Sequence, residues 1–383
     1  MKKKTRILFL GSLPPPVHGS AVVSQQIKDS KLINEIFDCD WVNLSTSRRM
    51  EEIGTKTIVK PFRLLGALCN ALLLLLTKKY DLCYLAITCH GIGFLKDSPF
   101  IFLCKLFGKK IVIHQHNKGM ANDVDRWPYR WLLPLCYKNA KVILLSWYLY
   151  PDIEKVVKKE NVLICPNGIK VDDNRVSNTD YLDDANRVLR LLFLSNLIES
   201  KGVLVLLDAL KILKDRGCSF SCVFVGGETK EIDVKRFNEE VEKRGLNETA
   251  FYQGRKYGEE KERIFKESDI FVFPSYYNNE CFPLVLLEAM QHGLPCVTTD
   301  EGGIRDIVAV QCPRFKDQSY AQGECGFVCE KRNAEAVADA LMKLIVDADL
   351  RTQMGEVGKK RVMKEFSEEL FEKRIKGILE DCI

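Results

Sequence analysis

No repeat of solenoid length and no low-complexity tract interrupts this chain of 383 residues, which sets aside solenoid architectures. Zinc-ribbon spacing is missing as well. The two Cys-x-x-x-Cys pairs, Cys218/Cys222 and Cys325/Cys329, do not match it, and no metal is expected. A disulfide framework is equally out of place. The 15 cysteines are scattered through apolar runs such as Leu82-Cys83-Tyr84 and Phe102-Leu103-Cys104, as buried thiols in a reducing compartment would be. The opening Met1-Lys-Lys-Lys-Thr-Arg6 leads straight into a strand-like run, with neither the apolar core nor the cleavage site of a signal peptide. A cytoplasmic chain is the expectation. The apolar run at 66–76, broken once by Asn70, falls short of the length needed to cross a bilayer.

Hydrophobic content of 46% and charged content of 28% are those of a soluble globular enzyme, and the length allows two domains, each with a core of its own. Charge is uneven. Through residue 110 there are 17 Lys and Arg against 8 Asp and Glu, while the whole chain carries a formal +5. Such a basic half suits nucleic acid or anionic lipid. The apolar run at 66–76, followed by Lys78 and Lys79, favours lipid: an interfacial helix on an anionic membrane surface, or else a helix covering a sheet. Nucleic acid is not an expected partner. The protein is expected in the cytoplasm, with a peripheral place on the inner face of the membrane as the candidate refinement.

Short apolar runs alternate with helical stretches in both halves. Strand-like segments stand at 6–11, 82–87, 110–116 and 141–145, and again at 189–194, 222–225, 251–252, 270–273 and 296–298. Alternation of this kind predicts right-handed crossovers and parallel sheets, hence an α/β protein of two doubly wound domains. The polar stretch 170–186 has few large apolar residues and reads as a linker between them. Ligands of such sheets bind at the carboxyl ends of the strands, so a cleft between two facing domains is the expected site.

The most informative segment is Glu280-Cys-Phe-Pro-Leu-Val-Leu-Leu-Glu288. The run Asp269-Ile-Phe-Val-Phe-Pro-Ser275 before it reads as a buried strand. Residues 284–291 read as a helix, with Pro283 at the first helical position and Gly293 just beyond the end. Glu280 then lies in the strand-to-helix loop and Glu288 inside the helix. The free amides of a helix start, aided by the dipole, form an anion site. Two carboxylates beside such a site suit a ligand that combines phosphate, hydroxyls and a developing positive charge. Lys201, ahead of Gly202 and a helix at 203–214, points the same way, because a lysine there opposes the helix dipole unless an anion is present.

The surrounding residues extend the pattern. Ala289-Met290, Gly293-Leu-Pro295 and Gly302-Gly303 follow the second glutamate. Upstream, in order, stand Pro14-Pro15-Pro16-Val17-His18-Gly19, His116, Ser146, Pro166-Asn167-Gly168, Lys201-Gly202, Gly226-Gly227 and Gly254. This succession, spanning nearly the whole chain, resembles the signature of the retaining GT-B-fold glycosyltransferases of the glycosyl transferases group 1 family, also called family 4. The resemblance implies two Rossmann-like domains facing across a cleft. An acceptor-side domain would cover 1–168, a linker 169–186 and a nucleotide-sugar domain 187–365. A last helix at 366–383 would cross back to the first domain.

It also implies roles. Glu280 would lie near the donor sugar and stabilise oxocarbenium character, His116 would bond the sugar hydroxyls, and Lys201 would neutralise the leaving phosphate. The amides at Cys281, Phe282 and Leu284, next to Pro283, would hold the diphosphate. Glu288 would bind the ribose, and Gly254 and Arg255 would border the base. Gly19 would let its amide approach the acceptor or the donor phosphate, with His18 narrowing that pocket or reaching the phosphate. Two departures stand out. His18-Gly19 replaces a pair of glycines, and Asn196 replaces an arginine that would face the phosphate, which would either weaken catalysis or shift that duty to Arg255 or Lys256.

Other histidine and aspartate patterns carry less. His114 and His116 share a strand face and could bind a metal, but no third ligand stands at a fixed spacing. Asp38-Cys-Asp40 and Asp123-Val-Asp125 match the Asp-x-Asp of metal-dependent transferases of another fold and are set aside. The resulting expectation is a metal-independent, hexosyl-type transferase with no cofactor, the nucleoside-diphosphate sugar being a co-substrate. The acceptor would be a glycan or a lipid-linked glycan of the cell surface, as in capsule or lipopolysaccharide biosynthesis. A sugar-nucleotide epimerase of the same fold and a non-catalytic nucleotide-sugar-binding protein are the alternatives.

Overall fold

The computed structural model describes residues 4–16, 19–48, 52, 58–171, 188–309 and 319–383. His18 and most of the expected linker lie outside the described residues. The chain forms two compact units, Met1–Gly168 with Glu368–Ile383, and Ile169–Ser367.

The first unit runs β1 (Arg6–Gly11), α1 (Gly19–Asp29), α2 (Lys31–Ile36), β2 (Asp38–Asn43), α3 (Val59–Thr77), β3 (Leu82–Ile87), α4 (Gly91–Leu106), β4 (Lys110–Gln115), α5 (Met120–Asp123), α6 (Tyr129–Tyr137), β5 (Ala140–Leu144) and β6 (Val162–Ile164). Its sheet has the order β2-β1-β3-β4-β5-β6 and is parallel throughout. The central strands are covered on both faces and are therefore apolar without alternation: Ile7, Leu8, Phe9 and Leu10 are all fully buried. β2 escaped the sequence reading because it is an edge strand with acidic positions. Asp38 pairs with Arg6 at 2.5 Å, and Asp40 takes Lys78 at 2.7 Å and the Tyr80 hydroxyl at 2.8 Å. Those aspartates hold the sheet edge together.

The second unit runs β7 (Leu189–Leu194), α7 (Val203–Asp215), β8 (Phe220–Val225), α8 (Val234–Lys243), β9 (Ala250–Tyr252), α9 (Gly258–Lys266), β10 (Ile270–Phe273), α10 (Leu284–Gln291), β11 (Cys296–Thr299), α11 (Ile304–Val308), β12 (Tyr320–Gln322), β13 (Gly326–Cys329), α12 (Ala334–Val346) and α13 (Ala348–Glu365). The sheet order is β12-β13-β11-β10-β7-β8-β9. Its strands are parallel except β12, which pairs antiparallel with β13 at the edge. Phe193, Phe224, Phe271 and Phe273 fill the core between sheet and helices. The last helix, α14 (Glu368–Cys382), belongs to the first unit. Phe371, Ile375 and Leu379, one turn apart, pack into a cluster with Ile27, Ile33 and Phe37.

Two expectations change here. Pro283 is the residue that caps α10, with ψ at 117°, and not its first helical residue. The apolar run at 66–76 is only part of α3, whose 19 residues are long and apolar enough to cross a membrane by length and composition. The run looked short because Lys60 and Arg63 interrupt the apolar pattern nearer the helix start.

Candidate active site

The second unit gathers its candidate residues in the loops that follow β7, β8, β9 and β10, at the carboxyl ends of neighbouring strands. After β7 the chain makes a single 3-10 turn, Glu199–Lys201, and enters α7 through Gly202. Gly202 has φ +91°, and a Cβ there would lie 2.3 Å from the Pro274 carbonyl oxygen, so only glycine lets this turn press against the loop after β10. The Tyr276 amide donates to the Ser200 carbonyl at 2.8 Å and fastens the two loops together.

That contact delivers Lys201 to Glu280. The ammonium lies 2.5 Å from Glu280 Oε2, and the side chains are only 15% and 11% exposed. It also sits 4.4 Å from the centre of the Tyr277 ring and 5.5 Å from that of Phe273. The buried Ser275 hydroxyl is 3.4 Å from the same carboxylate oxygen. The anion that a lysine at the start of α7 demands is therefore Glu280. Neither residue was expected to pair with the other, since they stand 79 positions apart.

Glu280 is held from below. Its amide donates to the Tyr277 carbonyl at 2.8 Å, and the Gly303 amide donates to the Cys281 carbonyl at 2.6 Å. Gly302, with φ +56°, lies so close that a Cβ would meet the Glu280 carbonyl oxygen at 2.4 Å. This is the structural use of Gly302-Gly303. Cys281, Phe282 and Pro283 are buried, Phe282 edge-on to Phe366 at 5.6 Å, while Leu284 is half-buried. No side chain caps the start of α10.

Glu288, one turn inside α10, carries a second lysine. Lys261 of α9 donates to both carboxylate oxygens at 2.7 Å. Here the side chains are 24% and 30% exposed. The sequence reading missed Lys261, because nothing local links positions 27 apart on different helices. His292 anchors the far end of α10, its ring nitrogens 2.7 Å from the Glu288 carbonyl and 2.9 Å from Glu262.

Asn196 follows β7, and its Oδ1 accepts from the Gly227 amide at 3.1 Å. The turn after β8 is tightly built. A Cβ on Gly226 would fall 1.8 Å from the Ser195 carbonyl oxygen, and one on Gly227 would fall 2.2 Å from Arg255 Nε. The guanidinium of Arg255 thus lies against the same turn that Asn196 pins. Gly254 adopts φ +69°, and its carbonyl accepts from the Gly226 amide at 2.9 Å. Lys256 pairs with Glu260 at 3.0 Å, and the Arg255 guanidinium lies beside the turn that Asn196 bonds.

In the first unit, His116 ends the run of β4 and lies 4.0 Å, ring to ring, from His114. His114 is fully buried, with Nδ1 bonded to the Tyr84 hydroxyl. Burial, and then the neighbouring charge of His116, hold the His114 pKa well below the usual 6.5, so His114 is neutral. Gly19 opens α1, exposed, with nothing within 4 Å of an added Cβ. The protein itself does not require glycine there. Of the paired aspartates, Asp123 is buried and accepts from the Gly91 amide at 2.6 Å, and Asp125 pairs with Lys155 at 2.7 Å. Among the described residues no three His, Cys, Asp or Glu side chains converge on a metal-sized site.

Residues 185–361 match the family model described as glycosyl transferases group 1. Over most of its second unit the chain is similar to that family. It is 25% identical over 208 residues to the capsular polysaccharide biosynthesis glycosyltransferase CapM of Staphylococcus aureus, covering 53% of this chain and 50% of that protein. It is 23% identical over 270 residues to the lipopolysaccharide 1,2-N-acetylglucosaminetransferase of Salmonella typhimurium, covering 67% and 63%. The chain thus spans from about half to just under two thirds of the length of these relatives. Among solved structures, Anabaena HepE in complex with UDP superposes with a TM-score of 0.72 at 16% identity, over 98% of this chain and all of that one. At that identity the likeness shows the fold, which is GT-B, with two Rossmann-like domains.

Proposed function

We propose that this protein is a retaining glycosyltransferase that moves a hexose from a nucleoside-diphosphate sugar to a growing cell-surface polysaccharide or glycolipid. The observation that carries the reading is two lysine–glutamate contacts on either side of the start of α10, Lys201–Glu280 in the loops and Lys261–Glu288 between α9 and α10, where no side chain caps the helix. HepE, whose structure holds UDP, and the capsule and lipopolysaccharide relatives support the substrate class.

In this reading the diphosphate lies at the start of α10, where the helix dipole and main-chain amides favour an anion. Lys201 exchanges its contact with Glu280 for one with the phosphate. The bond from the anomeric carbon to the phosphate oxygen breaks with its electron pair left on the diphosphate. The acceptor hydroxyl then bonds to the anomeric carbon on the same face, and its proton goes to the departing phosphate. Glu280, released from Lys201, faces the positive charge that develops on the sugar. A preorganised cation and carboxylate act in this way only where charge changes. Glu288 binds the ribose hydroxyls. Its oxygens each keep a lone pair beyond the Lys261 contact, so lysine and ribose can be held together. His116 bonds the sugar hydroxyls. Lys201, Arg255 and the amides supply the positive potential for the leaving group, so this route calls on no metal.

The test is incubation with a panel of nucleotide sugars and a lipid-linked glycan acceptor. Release of free nucleoside diphosphate together with a lengthened acceptor is the expected result. An epimerised donor, or binding without turnover, would overturn the transfer reading.

A further inference from the structure

The helices α3, α4 and α6 of the first unit share a surface that the proposed chemistry does not use. The connections β2 to β3, β3 to β4 and β4 to β5 all step in the same direction along the sheet order, so right-handed crossovers put all three helices on one face. α4 packs between α3 and α6, while α14 covers the other face beside α1 and α2. The layer is continuous, and its outer side is apolar on every helix. On α3, Phe62, Leu65, Leu72, Leu73 and Leu76 are exposed at helical spacing. On α4 the exposed large apolar residues are Ile92, Phe102 and Leu106, the last at 82%. Trp127 stands 81% exposed just before α6, and Trp131 and Leu135 follow on the helix. Contiguous apolar patches on this scale mark interaction surfaces.

Charge says what covers it. The three helices contain Lys60, Arg63, Lys96, Lys105 and Arg130 but a single carboxylate, Asp97, which is buried. Lys79 and Lys138, at the helix ends, add exposed positive charge, and the Arg130 guanidinium lies 5.1 Å from the centre of the Trp131 ring. Apolar stripes with tryptophans and cations, with Asp81 and Asp125 as exposed acids at the flanks and the latter paired with Lys155, complement an anionic lipid headgroup region with acyl chains beneath it. α3 lies on such a surface and does not span it. Arg63 donates to the Thr46 carbonyl at 2.8 Å, and Lys78 pairs with Asp40 of β2, so both ends of the helix are tied to the same sheet edge. Lys78 is thereby withdrawn from the lipid-facing role that the sequence suggested.

We propose that the α3–α4–α6 face is a monotopic docking surface for an anionic phospholipid bilayer. The inference stands on the helical layer and not on the transfer reading. The test is flotation of the full chain with vesicles of phosphatidylcholine alone or mixed with phosphatidylglycerol, at low and high salt. Recovery with the phosphatidylglycerol vesicles at low salt is expected, with tryptophan emission shifted to shorter wavelength as Trp127 and Trp131 leave water. Replacing Arg130 and Lys138 by Glu should weaken binding at least about fivefold for each cation lost. A second variant, Leu65→Ser with Trp131→Ser, changes only exposed positions and should abolish the blue shift while leaving the melting temperature in place. Failure to float with anionic vesicles, or variants that bind like the native chain, would overturn the proposal. So would a dimer in sedimentation that the serine variant dissolves without any vesicle binding, because a second copy would then cover the face.

Discussion

Two lysine–glutamate pairs stand in the same unit, and their surroundings differ. Lys201–Glu280 is nearly dry, pressed between the rings of Tyr277 and Phe273, and made from loops that glycines force together. Lys261–Glu288 joins two helix surfaces and stays about a quarter exposed. A buried pair is costly to break from one side, because the remaining charge has neither water nor partner. A partly exposed pair is more cheaply rearranged, since solvent screens part of what is lost. The dry pair is therefore suited to a step in which charge is redistributed, and the wet pair to holding a ligand.

Removing Lys201 should separate these cases most strongly. Lys201→Ala strands a buried carboxylate and should cost about 3–5 kcal/mol of stability. It should also lower turnover by roughly a hundredfold to a thousandfold through the lost electrostatic donor. Adding Glu280→Gln should restore much of the stability and none of the turnover, because the stranded charge is then gone. Urea unfolding and diphosphate release on the same samples check this. Near-native turnover in Lys201→Ala would mean that another cation serves the phosphate.

Lys261→Ala should be far milder, at about 0.5–1 kcal/mol of stability. Glu288 loses its orienting partner, so the donor KM should rise a few fold with kcat retained. A fall in kcat as large as that of Lys201→Ala would erase the distinction between the two pairs.

Asn196→Arg sharpens the comparison from the side. By the family pattern, an arginine at this position would face the phosphate. The Gly227 amide, however, bonds Asn196, and the Arg255 guanidinium already lies against the same glycine. The substitution should cost about 1 kcal/mol for the lost acceptor and bring no gain in turnover. Higher turnover than the native protein would show that Arg255 does not fill the role.

A pH-dependent effect belongs to His114. Its folded pKa lies below the unfolded value of 6.5, so the unfolded chain binds the proton first as pH falls. Stability contributed by the neutral ring is complete above pH 6.5 and is lost as pH drops below it, by up to about 1.4 kcal/mol per pH unit. Urea unfolding between pH 7 and 5 should therefore show a steeper loss in the native protein than in His114→Asn. Parallel slopes would contradict the assignment.

Much of the sheet architecture was legible because strands covered on both faces must be apolar end to end. The runs at 6–11, 82–87, 189–194 and 270–273 coincide with β1, β3, β7 and β10. β2 was not, because an edge strand can place aspartates where a central strand cannot. α3 was cut short because Lys60 and Arg63 break the apolar run, although both reach back to the loop before the helix. Individual candidates such as Glu280, Glu288 and Lys201 could be picked out from the chemistry of a helix start. Their partners could not. Lys201 meets Glu280 across 79 positions, and Lys261 meets Glu288 between two helices, so only the folded chain brings them together.

The central claim is that the buried pair serves turnover and the exposed pair serves donor binding. Steady-state kinetics of diphosphate release over a donor series, for Glu280→Ala and Glu288→Ala side by side, tests it most directly. Glu288→Ala should raise the donor KM roughly tenfold to a hundredfold with kcat nearly kept, because ribose contacts act alike in ground and transition states. Glu280→Ala should do the reverse, losing kcat with little change in KM. An unchanged donor KM in Glu288→Ala, or an unchanged kcat in Glu280→Ala, would contradict it.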